Sequence, residues 1–164
     1  MSLSEEYYFH QTPVDLCKKL IAITPLENGD KVLEPFKGEG GFYDNLPNHI
    51  NKDWCEITQG RDYKDYSGDI DWIVSNPPFK LDGKCAFWKL INYYTEHVKK
   101  GIALLGNEYC LSSLTPKRIC ELKKKGWYVN KIVCCSIKKW RGRYYYIILQ
   151  RQSCDFFDYI EGNY

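Results

Sequence analysis

Apolar residues at Val14, Cys17, Leu20 and Ile21 recur at helical spacing and predict a helix from Thr12 to about Ile23. Thr12 reads as its cap, Pro13 suits the first turn, and Asp15 supplies a carboxylate there. After turn chemistry at Glu27 to Asp30, Lys31 to Phe36 predicts a strand. A glycine loop (Gly38, Gly40, Gly41) and a short helix that must end by Pro47 follow. Asp53 to Ile57 predicts a second strand and Gln59 to Tyr63 a very short third piece. Asp71 to Ser75 reads as a buried strand, cut off by Asn76-Pro77-Pro78-Phe79. Phe87, Leu90, Ile91, Tyr94 and Val98 keep helical spacing and predict a long helix over 84–100, stopped by Gly101. Ile102 to Leu105 predicts a strand, and Thr115-Pro116 opens a helix that closes at Gly126. Val129 to Ile137 and Arg143 to Leu149 are β-rich runs that the basic turn Lys138 to Gly142 joins as a hairpin. Strands alternating with helices give an α/β fold with a mostly parallel sheet, to which the hairpin adds an antiparallel edge.

Composition narrows the class. The chain has 164 residues, 44% hydrophobic and 27% charged, which fits one domain over 1–164 and excludes a disordered chain. No uncharged apolar run is long enough to span a bilayer, and Glu5 and Glu6 near the start do not resemble a signal peptide, so no membrane association is expected. Eight cysteines include no C-x-x-C pair, and the three histidines stand at no ligand spacing to them, so no metal site is expected. Cysteines set inside apolar patterns read as small buried hydrophobes in a reducing, cytoplasmic setting. Charge is unevenly divided. Residues 1–79 carry 7 Lys/Arg and 14 Asp/Glu, net −7, whereas residues 80–164 carry 16 and 7, net +9. That polarity suggests an anionic partner for the C-terminal half, set against the plainer reading of solvated helix faces. For Lys123-Lys124-Lys125 the plainer reading, a helix end favoured by the dipole, is preferred.

Three constellations carry chemistry. Glu34-Pro35-Phe36-Lys37-Gly38-Glu39-Gly40 follows a strand and opens a helix, at the place where open α/β sheets bind nucleotides. Its glycines let the backbone approach a ligand closely. The dinucleotide fingerprint fails because Tyr43 stands where its third glycine belongs, and Glu34 and Glu39 would repel a pyrophosphate. The loop suits an adenosyl ligand that has no phosphates and bears a cationic centre. Glu56, at the end of the second strand, can accept two hydrogen bonds from a ribose diol. Asp62 and Tyr63 are candidates for an adenine amino group and a ring face. In Asn76-Pro77-Pro78-Phe79, two prolines stiffen the loop, the Asn76 side-chain carbonyl and the Pro77 carbonyl can converge on an NH₂ group, and Phe79 offers a flat face to a planar base.

These motifs resemble those of the class I S-adenosylmethionine-dependent amino-methyltransferases that bear an N-P-P-F/Y motif, most closely the N6-adenine type in which the cofactor half precedes the catalytic half. The match covers roughly Thr12 to Leu105. The resemblance implies a Rossmann-like methyltransferase fold with a seven-stranded-type sheet, S-adenosyl-L-methionine as cofactor, and a division into an N-terminal lid helix (1–30), a cofactor half (31–75) and a catalytic half (76–164). It implies that Thr12-Pro13 closes over the methionine part of the cofactor and that Glu34 lies near the amino group, in a loop with Pro35, Phe36, Gly38 and Gly40. It further implies Glu56 at the ribose, Ile57 beside the adenine, Asp62 and Tyr63 at the adenine edge, and Asn76 to Phe79 as the catalytic tetrapeptide. The stretch from Glu56 to Asp71 is too short for the helix, strand and helix usual there, so the sheet should be trimmed on that side. No separate target-recognition domain is expected after the catalytic half. The expected reaction is methyl transfer to an exocyclic amine of a nucleic-acid base, with adenine N6 of DNA favoured over RNA and a monomer expected. Lys80, Lys139, Trp140, Arg141 and Arg143 would line the substrate track. An RNA adenine or guanine amine, a protein glutamine, and a non-catalytic nucleic-acid-binding module remain as alternatives.

Overall fold

The computed structural model describes residues 11–81, 83–138, 140–154 and 157–158. The apolar run in the middle of the chain becomes strand β3 (Ile70–Ser75), with Trp72, Ile73 and Val74 all buried. It pairs in parallel with β1 (Lys31–Glu34) on one side and β6 (Val98–Asn107) on the other. Strand β2 (Asn51–Trp54) adds in parallel to β1, and β8 (Tyr144–Gln150) adds antiparallel to β6 and to β7 (Tyr128–Cys135). Among the described residues the result is a six-stranded sheet ordered β2-β1-β3-β6-β8-β7, beside a small antiparallel pair, β4 (Lys80–Leu81) and β5 (Lys84–Cys85). The mostly parallel sheet with its C-terminal antiparallel hairpin follows the sequence expectation. The trimmed side ends at β2.

Side chains alternate across this sheet and bury a layer on each face. Leu33, Ile73, Ile102, Leu104, Ile147 and Leu149 pack against helices α2 (Ala86–Tyr94) and α4 (Pro116–Lys124). Val32, Trp72, Val74, Ala103, Leu105, Tyr146 and Ile148 face helix α1 (Val14–Ile23) and the segment from Phe42 to Ile50. The apolar stripe of α1 supplies Cys17, Leu20 and Ile21 to that face, and Thr24 Oγ1 at its end meets the buried Tyr146 hydroxyl at 2.8 Å.

Several elements depart from the sequence expectation. Thr12 does not cap α1: Pro13 takes the cap position with no side-chain bond, and the Thr12 hydroxyl is used elsewhere. Strand β2 begins at Asn51 rather than Asp53 and ends at Trp54. The short third piece is two 3₁₀ turns, Ile57–Gln59 and Tyr63–Asp65, with one bridge between Glu56 and Arg61. The long helix expected over 84–100 stops at Tyr94, and Val98 opens β6 although it fits the helical spacing. Thr95 closes the helix by turning its hydroxyl back to Asn92 O at 2.8 Å, while its own carbonyl accepts from the Trp127 indole at 3.2 Å. Gly101 is not a helix stop. It lies inside β6 opposite Trp72, where any Cβ would run into the indole ring. The short helix α3 (Glu108–Ser112), capped by Asn107 Oδ1 accepting from Cys110 N at 3.1 Å, was not visible in the apolar pattern.

Candidate active site

Parallel pairing brings the carboxyl ends of β2, β1 and β3 to one edge of the sheet, where their following loops meet. The loop after β1 is fastened to the end of β2 by two backbone donors. Lys37 N donates to Cys55 O at 2.9 Å, and Gly38 N donates to Glu56 Oε2 at 2.8 Å. Gly38 and Gly40 hold φ of +53° and +88°, a region that disfavours any side chain. A Cβ at Gly38 would meet the Gln11 amide, and one at Gly40 the Asp44 carboxylate.

Glu34 ends β1 at 2% exposure, and its Oε2 accepts from Tyr43 N at 2.6 Å. Burial holds this carboxyl well above the usual carboxylate range, against the opposing pull of the Tyr43 N–H. The carboxyl therefore organises the turn after the glycine loop from beneath. Pro35 beside it is buried, and Phe36 is half-buried against the α2 side of the core.

Glu56 is 1% exposed, and besides Gly38 N its carboxylate accepts from Thr58 N at 3.1 Å and Thr58 Oγ1 at 2.8 Å. Thr58 is the polar partner that the sequence reading missed; its only signal was a hydroxyl two positions beyond an acid. Ile57, next to Glu56, is 63% exposed, an apolar side chain left on the rim. Asp62 caps the second 3₁₀ turn through Lys64 N at 3.0 Å. Tyr63 is 9% exposed, its ring centroid 5.1 Å from Phe36 and 5.6 Å from Tyr93, so its ring packs with the core on the α2 side.

After β3, Asn76 Nδ2 donates to Thr12 Oγ1 at 3.1 Å. Pro77 is buried, and Pro78 and Phe79 are half-buried. The Phe79 ring packs 6.1 Å from Tyr144, which in turn lies 4.7 Å from Trp140. This aromatic chain sets the hairpin turn beside the tetrapeptide, and the Tyr144 hydroxyl donates to Arg141 O at 3.0 Å. Trp140, expected as a stacking ring, is 8% exposed and belongs to the core. Lys80, Lys138, Arg141 and Arg143 are exposed, whereas Lys139 lies outside the described residues. The structure thus brings together Thr12, the glycine loop, Glu56 and Asn76, and leaves Tyr63 and Trp140 in the core.

Two further features bear on the chemistry. Burial pushes the Cys17 and Cys110 thiols up to about 12 and the Cys55 thiol to about 11, so none of the three supplies a thiolate at neutral pH. Among the described residues no group of three His, Cys, Asp or Glu gathers to hold a metal ion, and no helix is long and apolar enough to cross a membrane.

No family model and no curated protein matches the sequence. Solved structures do match in fold. The chain superposes on a methyltransferase from the E. cuniculi Mtq2–Trm112 complex, responsible for methylation of the eRF1 translation termination factor, with a TM-score of 0.60 at 17% identity, covering 88% of this chain and 99% of that one. It superposes on M. jannaschii TYW2 in complex with AdoMet with a TM-score of 0.52 at 14% identity, covering 86% and 75%. A modification subunit assigned to a type I restriction enzyme of Vibrio vulnificus YJ016 gives 0.61 at 15% identity, covering 86% of this chain and 44% of that one. At these identities the likeness defines the architecture: the chain has a Rossmann-like methyltransferase fold.

Proposed function

We propose that this protein is an S-adenosyl-L-methionine-dependent methyltransferase acting on an exocyclic amine of a nucleic-acid base, with adenine N6 of DNA as the leading substrate. The observation that carries the reading is the meeting of the Asn76 amide with the glycine loop and Glu56 at one edge of the sheet, bridged by Thr12.

The residues fit the cofactor. The positive-φ glycines make a close backbone approach possible, Ile57 offers exposed apolar surface for an adenine, and Glu39, Asp44 and Glu56 make the loop acidic, which suits a cation. The Thr58 hydroxyl on Glu56 stands where a ribose hydroxyl would donate, and exchanging one for the other keeps the carboxylate satisfied. Asp62 takes the adenine edge in this reading. Thr12, Pro13 and the Gln11 side chain over Gly38 close the methionine end. When bound, the cofactor supplies an electrophilic methyl on a sulfonium.

The protein's part is positioning and electrostatics. An aromatic amine is a poor nucleophile because its lone pair is delocalised. Hydrogen bonds from its NH₂ to the Asn76 carbonyl oxygen and the Pro77 carbonyl favour a pyramidal nitrogen whose lone pair is free to attack. The nitrogen would gain the methyl carbon as the sulfonium's S–CH₃ bond breaks, the bond's electron pair staying on sulfur to leave a neutral thioether, and would give up one proton to solvent. Phe79 holds the base plane, which requires a flipped or single-stranded nucleotide. Lys80, Lys138, Arg141 and Arg143 supply phosphate contacts beside it.

A protein glutamine amide is the second reading; the E. cuniculi Mtq2–Trm112 complex, one chain of which is covered over 99% of its length, is responsible for methylation of a protein factor. Offering labelled cofactor with DNA, RNA and protein acceptors in parallel decides between them. Label in DNA adenine is the expected result, and label only in protein would overturn the nucleic-acid assignment.

A further inference from the structure

Thr12 joins two parts of the site that are far apart in the sequence. Its hydroxyl accepts from Asn76 Nδ2 at 3.1 Å, and the residue is buried. Its carbonyl is close-packed against the glycine loop: a Cβ on Gly41 would come within 3.3 Å of Thr12 O. The Cys17 thiol donates to that same carbonyl at 3.7 Å, tying the residue to the first turn of α1. Pro13 follows, with φ of −56° and a carbonyl that accepts from Leu16 N and Cys17 N. The backbone of Thr12 is thus fixed from the loop side and from the helix side, and its hydroxyl reaches the tetrapeptide.

Asn76 needs such a partner. Pro77 restricts the Asn76 backbone to extended conformations, and two consecutive prolines hold the chain beyond it. The terminal amide torsion is not fixed in this way, since an Asn χ2 is broad and nearly two-fold. The two orientations are chemically opposite: one turns a carbonyl acceptor to the substrate, the other an NH₂ donor. A hydrogen bond that holds Nδ2 on Thr12 turns Oδ1 to the opposite side.

We infer that Thr12 is a positioning residue for Asn76, holding the side-chain amide with its oxygen toward the substrate amine, beyond any contact it makes with the methionine end of the cofactor. The inference rests on the methyltransferase reading above for its catalytic consequence, but not for its geometry. A hydroxyl is required and a methyl is not, which separates Thr12→Val from Thr12→Ser.

The test measures cofactor affinity by calorimetry, single-turnover methyl transfer, and the Asn76 side-chain amide signals in ¹⁵N-labelled protein, assigned by their loss in Asn76→Ala. At saturating cofactor, Thr12→Val should slow methyl transfer by about 10-fold, in line with one lost hydrogen bond, a loss larger than any it causes in cofactor affinity. It should also shift the Asn76 amide signals. Thr12→Ser should recover most of the rate and the wild-type signals. A Thr12→Val protein that transfers at the wild-type rate, or whose loss of rate is matched by an equal loss of cofactor affinity, overturns the inference. If the wild-type protein methylates no acceptor, the reading of the reaction fails, and the amide signals decide the geometry alone. Signals that move with Val and not with Ser uphold it; signals indifferent to both overturn it. If Thr12→Val does not fold by circular dichroism, Thr12→Ala takes its place with the same expected outcomes.

Discussion

Gly38 N donates to the Glu56 carboxylate at 2.8 Å, and this bond spans the loops that follow β1 and β2. It makes one acid responsible both for the shape of the glycine loop and for the charge that would receive a ribose.

Glu56→Ala should therefore reduce S-adenosylmethionine affinity by roughly 10- to 150-fold, the equivalent of about 1.5–3 kcal/mol for charge-assisted bonds. Thr58→Ala removes only the hydroxyl that the ribose is to replace and should leave affinity undiminished. Calorimetry on both variants checks the pair. Wild-type affinity in Glu56→Ala would refute the ribose assignment.

Glu34 should leave a signature in the pH dependence of stability. Burial raises its pKa in the folded state above the unfolded value of about 4.3. A raised acid pKa means that the folded state binds the proton more tightly. The contribution is therefore fully present below the unfolded pKa and is lost as pH rises through the folded pKa. Glu34→Gln keeps an oxygen to accept from Tyr43 N and cannot ionise. Relative to wild type, its urea midpoint should rise as pH increases from about 4.3 upward. A difference between the two proteins that does not vary with pH would contradict the burial argument.

Much of this architecture was legible because period and punctuation agreed. Cys17, Leu20 and Ile21 gave the buried face of α1, and the run Trp72-Ile73-Val74 ended by two prolines gave β3 and its loop. The errors arose where tertiary contacts overrode a local pattern. Val98 fits the stripe of α2 but enters the sheet, and Gly101 looks like a helix stop but is required by the Trp72 ring across the strand pair. At the candidate site, the places of Glu56 and Asn76 at the ends of the two strands that flank β1 were legible from the strand pattern. The burial of Tyr63 by Phe36 and Tyr93, and of Trp140 against Tyr144, was not, because the packing partners are distant in sequence. The Thr12–Asn76 bond was hidden for the same reason.

The hairpin turn should divide into a structural and an electrostatic part. Trp140→Ala removes a buried ring and should cost about 3–5 kcal/mol of stability, seen as a lowered urea midpoint. Arg141→Ala with Arg143→Ala should leave stability nearly unchanged and weaken nucleic-acid binding. If Lys80, Lys138, Arg141 and Arg143 neutralise about four phosphates, the log–log salt slope is roughly −3 to −4, and losing two arginines should make it shallower by about 1.5. A wild-type affinity indifferent to salt for both DNA and RNA would remove the nucleic-acid reading and favour the protein amide.

Asn76 is proposed to act on the reacting amine in the transition state. The most direct measurement is single-turnover transfer of labelled methyl to the preferred acceptor by Asn76→Ala, alongside cofactor binding by calorimetry and a circular dichroism check of the fold. The rate should fall by about 10²-fold or more, the range for a lost transition-state hydrogen bond, with cofactor affinity little changed if the amide serves the substrate amine as proposed. A folded, cofactor-binding Asn76→Ala protein that methylates its acceptor at the wild-type rate would contradict this role.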